Sequence, residues 1–441
     1  MKLVKMSMVA ALLVGSSAFA IENIKVSGDA NIYYLTQDGD LTPNVLAADE
    51  ASLFAKDSSA ADASLNLDVS ADLVKNDLVT VSAKAGYTVL STLGLENNFV
   101  SNVWGSGHTA EIGTGAKYAG SSHSAVIPGG LGGAKVENAN YFTEAYVTVA
   151  SGKSALQLGR MELDTPIAFS EKWSAETNSF EAAVVMNQDI PNTTVVGAYI
   201  GNGNGNETFG QDLRSNVYSI PASLGAPSLA VAGVVNGEGK FGTFGTDGAY
   251  ALAVVNNSIE PLTVQAWYYR VTNVADAFWI QADLNLAGIM AGAQYSMIDL
   301  DAGIDSSVMA AMLGYEVKDV VTVKAAYSTV DTDFAAGFNV ATTTGDTKLY
   351  TKTFWNYGFG AGVTAADTDA MKLSVSSPVN GLFDVCASYT AVSHTNTDFN
   401  EIALVAKKSF GPLDVKAALV NVDDDSADAV NMVQAYLTLN F

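Results

Sequence analysis

The sequence contains one cysteine, nine prolines and three histidines among 441 residues. A single thiol cannot form an internal disulfide, which excludes a disulfide scaffold even in an exported compartment. The cysteine and the histidines lack the spacing of zinc ligands. No serine, histidine and acid stand in an arrangement suited to nucleophilic catalysis, so no catalytic residue is predicted.

Basic residues and long apolar runs are also scarce. The chain has 22 Lys and Arg against 46 Asp and Glu, a net charge of −24. Nucleic acid is therefore not expected as a partner, because its binding depends on basic groups that neutralise phosphates. After the first 20 residues there is no uninterrupted run of 18 apolar residues, so no transmembrane helix is predicted.

The first 20 residues have the composition of a secretory signal peptide. Lys2 and Lys5 precede an apolar run from Met6 to Val14, and Ala18-Phe19-Ala20 forms a small-residue cleavage site. Cleavage would leave one domain, residues 21–441. It would remove two lysines and no acid, which leaves 20 basic residues against 46 acidic ones and a net charge of −26.

What the sequence does contain is alternation of apolar and polar residues with a period of two. In the final stretch, residues 431–441, Val433, Ala435, Leu437, Leu439 and Phe441 fall on one face and polar residues predominate on the other. Such a strand at the end of an exported chain is typical of the sealing strand of a closed membrane barrel.

The same alternation predicts eighteen strands. Two lie within 61–90 on either side of a turn at 75–77. The others lie near 24–35, 141–150, 154–161, 180–187, 193–201, 249–255, 262–271, 276–286, 288–297, 307–317, 320–329, 370–377, 382–391, 400–408, 412–421 and 429–441.

The lengths of the connections support an all-β, antiparallel transmembrane barrel, since short turns alternate with long loops. The long loops are predicted at 36–60, 91–140, 162–179, 202–248 and 330–369. Residues 229–235 and 348–354 could each be strands, which gives a range of about 16 to 20, and eighteen is preferred because it preserves the alternation of long and short connections. Aromatic residues at both predicted membrane levels, such as Tyr87, Tyr268 and Phe383, fit the same topology.

One segment resembles a known family. Residues 156–201 contain Leu158-Gly159-Arg160, Leu163-Asp164-Thr165-Pro166, Glu171-Lys172-Trp173 and the run from Asn178 to Asn187. This stretch resembles the Campylobacter-type major outer membrane porin family of epsilonproteobacteria. The resemblance implies an eighteen-stranded, trimeric, cation-preferring general diffusion porin in the outer membrane. It also implies that residues 162–179 are the third loop and fold inward to narrow the pore.

The charges of that loop suit a constriction that prefers cations, because fixed charge in a narrow low-dielectric site concentrates counter-ions. Its predicted constriction residues are Glu162, Asp164, Glu171, Lys172 and Glu176, with Arg160 at its base. Strand parity places Arg160 on the lipid side. A bulge at Gly159 would turn it into the lumen, and a subunit interface is the alternative.

Strand parity also predicts the charges of the pore wall, which are moderately acidic. The principal inward residues are Asp62, Asp68, Asp72, Lys84, Glu144, Glu181, Asp283, Glu316, Lys324 and Asp384. Asp29, Glu401 and Asp414 are further inward acids, and Lys25, Lys372, Lys407 and Lys416 are further inward bases. No run of basic residues forms an anion ladder in the sequence, and Cys386 is expected to face the lumen.

Three weaker expectations concern ligands and partners. Clustered carboxylates at Asp299, Asp301 and Asp305 are oxygen ligands of the kind Ca²⁺ prefers, although no cofactor is required. Phe441 is the expected assembly signal read by the barrel-assembly machinery. Outer-membrane lipid and lipopolysaccharide are the expected surroundings, and Phe441, at the end of the sealing strand, would lie beside them.

The pattern thus favours a passive diffusion channel for ions and small hydrophilic solutes. Two other classes remain open at this stage. A surface adhesin or structural barrel would use the same strands with a plugged lumen. An outer-membrane enzyme would need a nucleophile and a base that converge on one wall.

Overall fold

A computed structural model describes the greater part of the chain beyond residue 20. The described residues are 21–38, 52–54, 59–91, 139–172, 175–204, 206–207, 216–219, 232–235, 241–244, 247–341, 346–354, 362–379, 381–395, 398–424 and 429–441. The predicted signal peptide lies outside them, and so do His108 and His123.

Eighteen antiparallel strands form one closed barrel, as predicted. The first nine are β1 Glu22–Gln37, β2 Ser59–Lys75, β3 Thr80–Ser91, β4 Ala139–Ser151, β5 Ser154–Met161, β6 Phe180–Asn187, β7 Thr193–Gly203, β8 Ala249–Ile259 and β9 Leu262–Val271. The other nine are β10 Ala275–Leu286, β11 Ile289–Leu300, β12 Ile304–Val317, β13 Val321–Val330, β14 Thr368–Val379, β15 Phe383–His394, β16 Phe399–Phe410, β17 Leu413–Asp424 and β18 Val430–Asn440.

The first and last strands close the barrel. In the β1–β18 pair, Asp29 lies opposite Asn440 and Gln37 lies opposite Met432. The backbone N–H groups of Gly28 and Phe441 each donate to the other's carbonyl, at 2.8 and 2.9 Å. A Cβ atom on Gly28 would lie only 2.7 Å from the Phe441 ring, so glycine lets the terminal aromatic ring lie flat on β1.

The connections sort to the two ends of the barrel. The turn end has short connections, such as 152–153, 260–261 and 411–412, whereas the loop end carries the third loop, L3 (162–179), and the seventh loop, L7 (331–367). Ala232–Val235 belongs to a small separate sheet with Asn206–Glu207 and Asn216–Ser219. A two-residue strand at Gly242–Thr243 pairs antiparallel with the end of β7. Residues 348–354 are irregular. Neither uncertain stretch therefore adds a strand to the barrel.

The outer face of the barrel is apolar. Exposed outward side chains include Ile32, Leu252, Met309, Leu313 and Leu404. This alternation of apolar outside and polar inside is the pattern of a barrel that spans lipid. The described residues contain no helix long and apolar enough to cross a bilayer.

Outward tyrosines mark the loop end of this apolar band. Each of four tyrosine hydroxyls donates to a polar side chain of the next strand, at 2.5 to 2.7 Å. The pairs are Tyr87 with Asn140, Tyr268 with Asp276, Tyr327 with Asp369 and Tyr389 with Asn400. Rings with an apolar body and a wet tip suit the level of the lipid headgroups.

The inside of the barrel is partly filled by apolar side chains. One buried cluster combines Trp279 of β10 with Ile167 of L3 and Val340 of L7. A second combines Tyr33 of β1 with Ala175 of L3. L3 and L7 therefore both pack against the inner wall, and they leave the rest of the lumen to polar and charged groups.

Candidate functional site: a lumen narrowed by two loops

Glu176 fastens L3 to the inner wall. Its carboxylate accepts hydrogen bonds from the Nδ2 atoms of Asn66 at 2.9 Å and Asn31 at 3.5 Å, on the inner faces of β2 and β1. Burial raises the pKa of Glu176, and nearby Asp29 adds to the rise. The carboxylate is thus an anchor turned towards the wall.

Glu171 has a similar role at the other side of the loop. It is 2% exposed and accepts a hydrogen bond from Asn339 Nδ2 of L7 at 2.6 Å. The prediction that Glu171 and Glu176 present their charges to the lumen is therefore wrong. The sequence shows that the loop contains these acids. It does not show which side of the loop faces the barrel wall and which side faces the lumen.

The other predicted charges of L3 are exposed. Glu162, Asp164 and Lys172 all reach solvent. Asp164 forms an ion pair with Lys348 of L7, while Lys172 borders the open lumen beside Lys416. Of the predicted loop acids, only Glu162 and Asp164 therefore meet water in the constriction region.

Arg160 and Glu181 lie on the outer face of the barrel. Strand parity places Arg160 there, so only its assignment to the constriction is wrong, whereas Glu181 was predicted to face the lumen. Glu181 lies between Phe180 and Ala182, which are both buried inside, so its side chain points outward. Arg160 Nε donates to Glu181 Oε1 at 2.8 Å. Gly159 has a φ of 130°, but Arg160 still shares the outward face of Leu158.

Both faces of β6 are apolar, which explains the error at Glu181. Ala182 packs inside the barrel against the buried cluster that contains Ile167 of L3, while Val185 is exposed outside. The hydrophobic pattern therefore could not assign the two faces.

The Arg160–Glu181 pair has further contacts on the outer face. The Arg160 guanidinium lies 3.9 Å from the centroid of the Phe241 ring, and Asn202 donates a hydrogen bond to Glu181 at 2.6 Å.

Acids gather on the wall formed by β1 to β4. Lys84 is ion-paired with Glu144, and its Nζ lies 3.6 Å from Asp68. Asp29 of β1 accepts a hydrogen bond from Asn66 Nδ2 at 3.0 Å. With Glu162 above them, these groups leave this side of the lumen net negative.

Lysines gather on the wall formed by β14 to β18. Lys372 and Lys416 line a cavity of 680 Å³ together with Lys172 of L3 and Lys352 of L7. Lys352 is paired with Asp346 at 2.6 Å. Among the described residues, no carboxylate forms an ion pair with Lys172, Lys372 or Lys416.

Strand parity predicted that Lys372 and Lys416 face inward, but no anion ladder and no such lysine wall was predicted from the sequence. Lys372 and Lys416 lie on different strands, and Lys172 and Lys352 come from two loops. Only the fold brings them together. The Lys416 ammonium also lies 4.7 Å from the centroid of the Tyr436 ring, and Cys386 lines the same cavity.

The remaining predicted wall residues are spread along the barrel. Asp283 accepts a hydrogen bond from the Tyr350 hydroxyl of L7 at 2.6 Å. Glu316 and Asp384 border a cavity of 340 Å³ near the turn end, and Lys324 lies opposite Ser374. Asp72, also near the turn end, accepts from Asn23 at 2.6 Å, while the side chain of Asp62 lies outside the described part of the chain.

The proposed calcium ligands do not converge. Asp299 and Asp305 face each other on β11 and β12, but Asp301 accepts two hydrogen bonds from Arg270, at 2.9 and 3.0 Å. Within the described ranges, no group of three His, Cys, Asp or Glu side chains could hold a metal ion.

The inward fold of L7 is a feature that the sequence analysis missed. L7 was predicted to be an extracellular loop, yet Phe334, Ala336, Phe338, Val340 and Ala341 are buried inside the barrel. Such a concentration of apolar residues is unusual for a loop in water. It was the feature of the sequence that could have indicated the inward fold of L7.

No protein family model and no curated protein matches the chain. Solved outer-membrane channels are similar in structure. The structure of OpdK from Pseudomonas aeruginosa, determined with vanillate, has a TM-score of 0.67 at 14% identity over 95% of this chain and 99% of OpdK.

Two further structures agree with it. OccK9 (OpdG) of Pseudomonas aeruginosa has a TM-score of 0.67 at 13% identity, and OccAB4 of Acinetobacter baumannii 0.66 at 10%. Each alignment covers 95% of this chain and 98% of the other chain. The chain therefore has the fold of the eighteen-stranded outer-membrane channels.

Proposed function

We propose that this protein is a passive diffusion channel of the outer membrane for ions and small hydrophilic solutes. The support is a closed barrel that is apolar outside and charged inside. The lumen is narrowed by L3 and L7, and a route past them runs along the lysine wall. The predicted signal peptide, residues 1–20, supplies the export that this location requires.

Adjoining cavities carry this proposal. The cavity of 680 Å³ beside L3 and L7 shares Lys172, Lys416 and Tyr436 with a cavity of 480 Å³ below it. The lower cavity shares Asp384 and Lys407 with the cavity of 340 Å³ near the turn end. Together they form a hydrophilic route from the loops to the turn end.

We propose a modest cation preference, and we assign it to the wall of β1 to β4 rather than to the buried acids of L3. Asp29, Asp68, Glu144 and Glu162 outnumber the one lysine among them, Lys84. The lysine wall opposes this preference, so the lumen carries a transverse field and excludes neither sign of ion.

A second candidate function is the passage of small carboxylates along the lysine wall. The observation in its favour is the group of Lys172, Lys372 and Lys416, which form no ion pair with a described carboxylate and lie beside the aromatic rings of Phe354 and Tyr436. The similar channel OpdK was determined with vanillate, an aromatic carboxylate. We expect vanillate to reduce the K⁺ current, and the reduction to weaken in a Lys372→Gln, Lys416→Gln variant.

We propose a homotrimer in which the flank of β5 to β7 faces neighbouring subunits. β5 and β6 have 8 residues each, fewer than the roughly 9 to 11 of a typical spanning strand. The outward Arg160–Glu181 pair would be poorly solvated by lipid there. A neighbouring subunit would cover both features.

The remaining partners are also proposals. Lipid and lipopolysaccharide would surround the other flanks, and the barrel-assembly machinery would insert the chain through the Phe441 end. Carboxylates at the loop end, such as Asp299 and Asp305, would bridge to lipopolysaccharide through Ca²⁺ without a dedicated site. No cofactor is required.

Membership of the Campylobacter-type porin family is also a proposal, and its support is the resemblance of residues 156–201 alone.

Solute permeation into liposomes tests the proposed function. Folded, purified protein should make liposomes swell in small neutral sugars at a rate that falls with sugar size. Swelling indistinguishable from that of empty liposomes, with cell binding retained, would favour the adhesin alternative. Hydrolysis of lipid or peptide substrates by the same preparation would favour an enzyme.

A further inference from the structure

Asn339 of L7 is fully buried. Its side-chain amide makes the pair of hydrogen bonds to the L3 backbone that a neighbouring strand would make. Its Oδ1 accepts from the backbone N–H of Phe169 at 3.2 Å, and its Nδ2 donates to the Phe169 carbonyl at 2.8 Å. The same Nδ2 donates to Glu171 Oε1 at 2.6 Å. One side-chain amide therefore satisfies a peptide unit and a buried carboxylate of L3.

Other contacts join the same two loops. The Val340 N–H donates to the Ile167 carbonyl at 2.8 Å, and both side chains belong to one buried cluster. At the lumen edge, Lys348 is ion-paired with Asp164. L3 and L7 thus meet through backbone, apolar and charged contacts around Asn339.

Each loop has its own anchor on a different part of the wall. Glu176 ties L3 to β1 and β2. Tyr350 ties L7 to β10 and β11 through its hydroxyl, which donates to Asp283 at 2.6 Å, and its N–H, which donates to Gln294 at 3.1 Å. The joined loops therefore form a bridge across the lumen with an anchor at either side.

We infer that L3 and L7 act as one constriction body and that Asn339 is the positioning residue that holds them together. This inference rests on the proposed channel function. If the amide is lost, Glu171 loses the buried donor that Asn339 supplies. Loss of such a partner shifts a local equilibrium by about 5- to 150-fold. L3 should then leave its docked position often enough to be seen as current substates.

The test compares single-channel currents of four folded proteins. Asn339→Asp places a second carboxylate beside Glu171, and we expect it to raise the occupancy of substates by at least about fivefold. Asn339→Asp with Glu171→Gln restores the hydrogen bond between residues 339 and 171 with donor and acceptor exchanged. It does not restore the donor to the Phe169 carbonyl, so the occupancy should return only part of the way towards wild type. Asn140→Ala removes a hydrogen-bond partner of Tyr87 on the outer face and should leave the currents unchanged.

Limited proteolysis of L3 in detergent gives a second readout that needs no conduction. It should cut Asn339→Asp faster than wild type, and the double variant at an intermediate rate. A wild type that passes no current would refute the proposed channel but leave this readout intact. If folded Asn339→Asp matches wild type in proteolysis and in substates, or if Glu171→Gln fails to rescue it, the inference is wrong.

Discussion

Neutralising two lysines of the lysine wall should make the channel more cation-preferring. Lys372 and Lys416 line the cavity of 680 Å³. A sphere of that volume has a radius of about 5 Å, so an ion near its centre lies ~8 Å from a lining ammonium, and the unscreened interaction is about 2 kcal/mol at an effective dielectric of ~20.

Salt screening reduces this interaction in a predictable way. At roughly 0.1 M salt the Debye length is about 10 Å, which leaves about 0.9 kcal/mol per charge, or a factor of about 5 in the partition of each ion into the cavity. At roughly 1 M the Debye length is about 3 Å and only about 0.1 kcal/mol remains. Because each ammonium repels K⁺ and attracts Cl⁻, Lys372→Gln with Lys416→Gln should raise the K⁺ to Cl⁻ permeability ratio by at least about 20-fold at low salt and by about 3-fold or less at high salt.

The assay is the zero-current potential across a KCl gradient in a planar bilayer. Asp29→Asn with Glu162→Gln should shift the potential in the opposite direction. Lys318→Gln, in the exposed turn between β12 and β13, removes a lysine outside the lumen and should leave the potential unchanged. If both luminal pairs leave the low-salt potential unchanged, or shift it in the same direction, the assignment of charge to two walls is refuted.

Three further predictions concern assembly, subunits and pH. Deleting Phe441 or replacing it with Asp should lower the yield of protein at the cell surface. The ring would no longer pack on Gly28, and the barrel-assembly machinery would no longer recognise the strand end. A normal yield would contradict this prediction. Cross-linking in mild detergent should give trimers, fewer with Arg160→Ala than with wild type, whereas a purely monomeric wild type would argue against the β5–β7 interface. Because burial raises the pKa of Glu176, the docked loop binds a proton more tightly than an undocked one, so docking strengthens as pH falls through that pKa and weakens as pH rises. L3 should thus resist proteolysis better at acid than at neutral pH, and Glu176→Gln should reduce the difference.

The strands of this barrel were predictable because their faces differ. On β2 the exposed Leu65 and Leu67 alternate with the inward Ser64 and Asn66, and a shift of one residue would place polar groups in lipid. Where both faces are apolar this constraint disappears. On β6 the inner face meets the buried cluster that contains Ile167 of L3 rather than water, so the sequence could not show on which face Glu181 lies.

The lumen was less predictable because it depends on contacts between distant segments. Glu171 meets Asn339, which lies 168 residues away in sequence, and Glu176 meets Asn66, 110 residues away. Local spacing carries no information about such pairs. Lys372 and Lys416 likewise share a cavity only because the barrel brings β14 and β17 to the same side.

The current through single wild-type molecules in a planar bilayer tests the central proposal most directly. A passive channel should give discrete current steps whose conductance rises with KCl concentration and which need no energy source. Folded barrels that insert into the bilayer without producing such steps would contradict the account.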